Sequence, residues 1–186
     1  MTGDALSPVQ RATALLTGSR FLVLATADAT GPWAATVNHV VSRAGALLFC
    51  SPPQSRHGRH IADRPVIAAT AYLVGPGQTP LDGVQLRGRC TPAGEDELTA
   101  LHEEFFTRAF PDDAVRDQAL IALRDFGPAA AYQLYTIEIT QCWVRDLQAR
   151  RCERAERRLS VPVPDLVVAL RAHSTSVKGC ETDEHQ

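Results

Sequence analysis

The stretch Ser51–Asp63, SPPQSRHGRHIAD, decides how the rest of the chain is read. An apolar run, Ala46-Leu47-Leu48-Phe49-Cys50, precedes it and has the character of a buried strand. A second such run, Val66-Ile67-Ala68-Ala69-Thr70-Ala71-Tyr72, follows it. Between them lie two arginines, two histidines and two serines, opened by Pro52-Pro53. A short helix whose first turn carries Ser55, Arg56 and His57 presents unpaired backbone N–H groups at the positive end of its dipole, and so forms an anion site. Arg56 adds a two-pronged grip on a phosphate. The residues alone leave two readings open. One is a seat for a phosphate-bearing cofactor; the other is a helix that Ser55 merely caps, with its arginines solvated.

Upstream, Ser7–Gly18 reads as a helix. Ser7 is placed to cap it, Pro8 suits its first turn, Val9, Ala12, Leu15 and Leu16 form an apolar stripe, and Gly18 stops it. Arg20–Asp28 and Trp33–Ser42 read as strands joined by the turn Ala29-Thr30-Gly31-Pro32. With the strand before Ser51 they make an antiparallel meander. Downstream, Val66–Val74 is a fourth strand, and a loop rich in Gly and Pro (GPGQTPLDG) leads to a fifth, Val84–Thr91. Gly94–Ala109 is an amphipathic helix, with Leu98, Leu101, Phe105 and Phe106 on one face and acidic residues opposite. Asp112–Phe126 reads as another short helix. Ala131–Thr140 is a sixth strand, extended or bent by residues up to Asp146. The expected fold is mainly β with added helices: a six-stranded antiparallel barrel.

After Asp146 the composition changes. We divide the chain into a domain of residues 1–147 and a charged, partly disordered tail, 148–186. Within that tail Arg150–Arg158 reads as a solvated helix of Glu/Arg pairs, Asp165–Ala172 as a short amphipathic helix docked on the domain or a partner, and the last residues as disordered.

A net charge of −2 gives no basic field for nucleic acid. No apolar run is long enough to span a membrane, and the first residues lack the pattern of a signal peptide. Five cysteines, widely spaced and odd in number, with no CxxC pair, suggest reduced thiols and a cytoplasmic protein. His57 and His60 would share a helix face, but no third ligand stands at a suitable spacing, so no metal site is expected. His39, on the second strand, is a polar lining residue of a cofactor or substrate groove, with an acid–base role as the alternative. Asp28 and Asp82, beside turns, read as caps. The GxSxG, GxGxxG and P-loop motifs are absent.

The order strand, Gly-Pro-Trp turn, strand, LLFCSPPQSRHGRHI, strand, GVQLRGR, acidic helix ending FFTRAFP, then YTIEITQCWVRD resembles the FMN-binding split-barrel superfamily, the pyridoxamine 5′-phosphate oxidase-like proteins, over roughly Arg20–Asp146. That resemblance implies an FMN-dependent oxidoreductase, with NAD(P)H or a small molecule as electron source and the flavin held between the two barrels of a homodimer. It also implies a set of cofactor-binding residues. Ser55 and Arg56 match the family's phosphate-binding run, with His57 in place of its lysine; Ser51 closes the third strand beside the flavin; Asn38 stands near the polar flavin contact of the second strand. Gln85 corresponds to a polar residue aimed at the ring from strand five, and Trp143 to a late tryptophan near the flavin. The oxidase's own C-terminal substrate residues are not recognisable, so vitamin B6 oxidation is not expected. The alternatives are a non-catalytic flavin- or haem-binding module, with His39, His57 and His60 as the haem-ligand candidates, and a reductase using the deazaflavin F420. A degenerate barrel without cofactor is the third possibility.

Overall fold

The structure, a computed structural model, describes residues 6–73, 82–127, 129–147, 149 and 157–176. Helix α1 (Pro8–Gly18) starts on a reciprocal cap: Gln10 N–H donates to Ser7 Oγ, and Ser7 N–H donates back to Gln10 Oε1. Its stripe of Ala12, Leu15 and Leu16 is buried. Strands β1 (Phe21–Asp28) and β2 (Gly31–Val41) form a hairpin that pairs Phe21 with Asn38 at one end and Asp28 with Gly31 at the other. Strand β3 (Leu47–Ser51) adds to β2, giving the expected meander. Helix α2 (Arg56–Asp63) then crosses to β4 (Val66–Leu73), which pairs with β1, and β5 (Asp82–Pro92) pairs with β4.

Helix α3 (Glu95–Ala109) leads to the segment expected as one helix over Asp112–Phe126. It is instead broken into α4 (Asp113–Ala119) and one 3-10 turn, Leu123–Asp125. Leu120 leaves the helix for extended backbone, and Phe126 is drawn down beside Phe106 and His102. Burying that ring outweighs continuing a helix with no buried face of its own.

Strand β6 (Gln133–Arg145) runs on through the residues expected to extend it and changes partner along its length. Its first residues pair with β3, Tyr135 to Val144 with β5, and its last three residues with β7 (Arg158–Ser160). The β3–β6 pairing closes six strands into a barrel, in the order β3-β2-β1-β4-β5-β6, and β7 extends the free edge of β6. The expected count of six therefore becomes seven. The seventh is three residues beside a charged run, too short to show alternation. The β5–β6 register shifts between Arg87 and Gly88; a Cβ at Gly88 would stand 2.7 Å from Glu138 O, so the strands approach that closely only because glycine is there.

Two apolar clusters hold the molecule. One fills the barrel (Leu22, Leu24, Phe49, Leu86, Ile137), and α1 closes it. The other joins Phe105 and Phe106 of α3 to the outward side chains Val40, Leu48 and Leu134. Of the segment after residue 147, residues 157–176 return to the barrel: helix α5 (Val163–Ser176) packs on α1 and buries Leu166 and Leu170 completely. Ser174 Oγ donates to Ser42 O, and Arg171 Nε donates to Ala44 O. Most of the Arg150–Arg158 run, most of the GPGQTPLDG loop, Cys152, Cys180 and the final residues lie outside the described residues. Among those described, no helix is long and apolar enough to cross a membrane.

Candidate functional site

Ser55, Arg56 and His57 lie at the start of α2, as expected. Ser55 caps the helix, its Oγ accepting from Gly58 N–H at 3.1 Å. The Pro52-Pro53 turn folds back over this end, and Ser55 N–H donates to Pro52 O. A Cβ on residue 58 would lie 2.5 Å from Pro53 O, so the turn and the helix meet only because that residue is glycine. The first-turn N–H groups of Arg56 and His57 have no partner within the helix.

Arg56 lies over the Trp33 ring, 4.7 Å from its centroid, and donates to Thr30 Oγ1 at 2.9 Å. Among the described residues no carboxylate pairs with it. Its planar group is thus held in place by a ring and a neutral hydroxyl, with donors left for an anion. His57 behaves differently. Its Nε2 is hydrogen-bonded to Ser51 Oγ at 2.6 Å and lies 3.2 Å from Ser55 Oγ. Burial, and then the neighbouring His60, hold its pKa below the usual histidine value. In this chain the cation of the cluster is Arg56, and His57 is a neutral group that orders two hydroxyls. Arg59, the second arginine of the motif, donates to Gln54 O.

Behind the cluster, buried His60 fastens α2 to β1. Its Nδ1 lies 3.0 Å from Thr26 Oγ1, and its Nε2 3.0 Å from Asp28 Oδ2. Asp28 also accepts from the N–H and hydroxyl of Thr30, which hold its pKa down to about 2. A continuous chain of contacts, Thr26–His60–Asp28–Thr30–Arg56, therefore runs from the strand to the guanidinium. Asp28 caps its turn as expected. Sequence reasoning placed neither Thr30 nor Trp33 beside Arg56; the Asp-x-Thr turn before Gly-Pro-Trp is the local signal that marks them.

The remaining predicted residues lie elsewhere. Asn38 sits about 17 Å along β2 from Trp33, in a groove of about 720 Å³ between the end of α1, β2, α3 and α5. His39 lines the same groove but is 4% exposed; its Nε2–H donates to Leu16 O, and burial depresses its pKa. Its Nδ1 has no partner among the described residues and is shut off from solvent. Gln85 and Trp143 are cross-strand partners on β5 and β6, and Gln85 Oε1 accepts from Arg158 Nε at 2.8 Å. The structure thus brings Ser51, Ser55, Arg56 and His57 together, pairs Gln85 with Trp143, and sets Asn38 in a third place. No three His, Cys, Asp or Glu side chains among the described residues stand close enough to hold a metal ion.

Residues 9–136 match the model of the pyridoxamine 5′-phosphate oxidase family, and the chain belongs to that family. Among solved structures it is similar to a haem-binding protein from Mycobacterium smegmatis, at 17% identity and a TM-score of 0.67, with 89% of this chain covered and 62% of that one. This chain therefore spans less than two thirds of that relative's length. It is also similar to an FAD-binding protein from Mesorhizobium loti (19% identity, TM-score 0.57, 74% and 92% covered) and to General Stress Protein 26 from Bacillus anthracis (15%, 0.54, 82% and 98%). At these identities the likeness is one of fold. No curated protein matches the chain.

Proposed function

We propose that the chain is an FMN-dependent oxidoreductase of the pyridoxamine 5′-phosphate oxidase type, a cytoplasmic homodimer that takes electrons from NAD(P)H or a small organic substrate. The observation that carries the reading is Arg56: a guanidinium laid on Trp33, tied only to a neutral hydroxyl, at the positive end of a helix capped by Ser55. A phosphate monoester suits that set of donors, with two N–H groups from Arg56, the first-turn backbone N–H groups and the Ser55 hydroxyl. FMN, when bound, supplies the redox chemistry. The chain's own residues hold the phosphate, and the Thr26–His60–Asp28–Thr30 contacts keep Arg56 oriented before the ligand arrives.

The outer side of β2, β1 and β4 supports the dimer. Ala34, Ala25 and Ala68 lie in register across it and are exposed, with Phe21, Val66 and Tyr72 more than half exposed around them. A flat apolar face of this kind is covered by a second copy in a symmetric dimer. Haem is less well served. His57 Nε2 and His60 Nδ1 are hydrogen-bonded within the protein, His60 Nε2 is buried 3.0 Å from Asp28 Oδ2, and His39 Nδ1 is sealed from solvent. Titrating the purified chain with FMN tests the reading. Saturable binding that quenches the flavin and is weakened about fivefold or more in Arg56→Ala supports it; the same affinity in both proteins removes the phosphate from Arg56.

A further inference from the structure

The geometry points to the groove between α1, β2, α3 and α5 as the seat of a small organic anion, with Arg20 as its anchor. The volume, about 720 Å³, is in the range of small-molecule sites. Four guanidinium groups face three carboxylates around it, and all but one of the four are committed within the protein. Arg108 donates to Glu104 Oε1 at 2.9 Å and to Ser174 O. Arg116 donates to Asp113 and to Phe110 O. Arg43 lies 3.9 Å from the Glu104 carboxylate that Arg108 already uses. Arg20 has no carboxylate partner among the described residues.

Arg20 is nevertheless held in place. Its guanidinium stands 5.8 Å from the Phe21 ring centroid and 5.7 Å from that of Phe110. Contact with two ring faces restrains the guanidinium and leaves its in-plane N–H groups for a ligand, so less freedom is lost on binding. The next residue across the hairpin, His39, donates its backbone N–H to Arg20 O, and burial depresses its pKa, so its imidazole adds no charge beside Arg20. Leu16, Val40 and Ala109 give the walls an apolar character suited to a compact hydrocarbon body. The ligand class is a carboxylate or phosphate on a small apolar frame. The groove lies at the end of the β1–β2 hairpin away from Asp28, Thr30 and Arg56, so an anion held there is separate from a phosphate held at Arg56.

Ligand-observed NMR titrations of the full chain with sodium benzoate, phenyl phosphate and neutral benzamide test the inference, at constant ionic strength. One or both anions should bind, the better of them naming the head group, and benzamide should bind at least tenfold more weakly. Arg20→Gln should weaken the preferred anion at least tenfold with the thermal midpoint and FMN affinity unchanged, and Thr107→Trp, which fills the groove from α3, should also block it. Absence of anion binding, equal binding of benzoate and benzamide, or wild-type anion affinity in both variants overturns the inference. Anion binding at Arg20 in a chain that takes up no FMN would defeat the proposed function and leave the groove assignment standing; FMN binding without anion binding would do the reverse.

Discussion

Arg56 donates to the Thr30 hydroxyl and lies on Trp33, while its neighbour His57 turns to Ser51 and Ser55. Removing the guanidinium in Arg56→Ala should weaken FMN binding by roughly 1–3 kcal/mol, the value of charge-assisted bonds to a phosphate, as read by flavin fluorescence titration. The histidines give a second expectation. Burial depresses the pKa of both His39 and His57. Near pH 6 the unfolded chain, whose histidines titrate at about 6.5, therefore binds more protons than the folded one. Their contribution to stability is complete above that value and is lost as pH falls from it toward the depressed folded pKa. Thermal midpoints should drop between pH 7.5 and pH 5.5, and the drop should be smaller in His39→Phe. An equal drop in that variant would show that His39 does not titrate as its burial requires. The capped first turn that carries Arg56 was legible in the sequence, because Ser55 after Pro-Pro is placed to cap a helix. The neutrality of His57 was not, because it depends on how closely the Pro52-Pro53 turn covers the helix.

Helix α2 is eight residues long, too short to hold its shape unaided. It stays in place through Ile61, which is buried, and through His60 between Thr26 and Asp28. His60→Ala leaves the buried Thr26 hydroxyl without its partner and should cost about 1–3 kcal/mol in urea unfolding. It should also weaken FMN binding without touching the ligand, whereas unchanged affinity would show that the chain of contacts does not orient Arg56. Helix α5 makes the parallel case at the other end. Leu170 is fully buried against the barrel core, and Leu170→Ala should lower stability by about 2–5 kcal/mol. The strands that carry long apolar or alternating runs were legible. The break between α4 and the 3-10 turn was not, since it follows from where Phe126 is buried, and β7 has too few residues to carry any pattern.

At the scale of the molecule, the barrel closes because β6 reaches back to β3, a pairing between segments more than eighty residues apart that no local pattern encodes. The ordered combination of segments pointed to it; hydrophobic alternation alone did not. The same closure turns the small side chains of β1, β2 and β4 outward, and from this we expect a dimer. Sedimentation should give twice the chain mass, and a double change Ala25→Arg, Ala68→Glu should give a folded monomer; a wild-type chain sedimenting as a monomer would leave that face without a second copy. The central claim, that Arg56 and α2 seat the phosphate of a flavin, is tested most directly by the visible absorption spectrum of the purified protein with the released cofactor identified by mass. We expect flavin bands and FMN. A Soret band, release of F420, or a colourless protein that takes up no added FMN would contradict it.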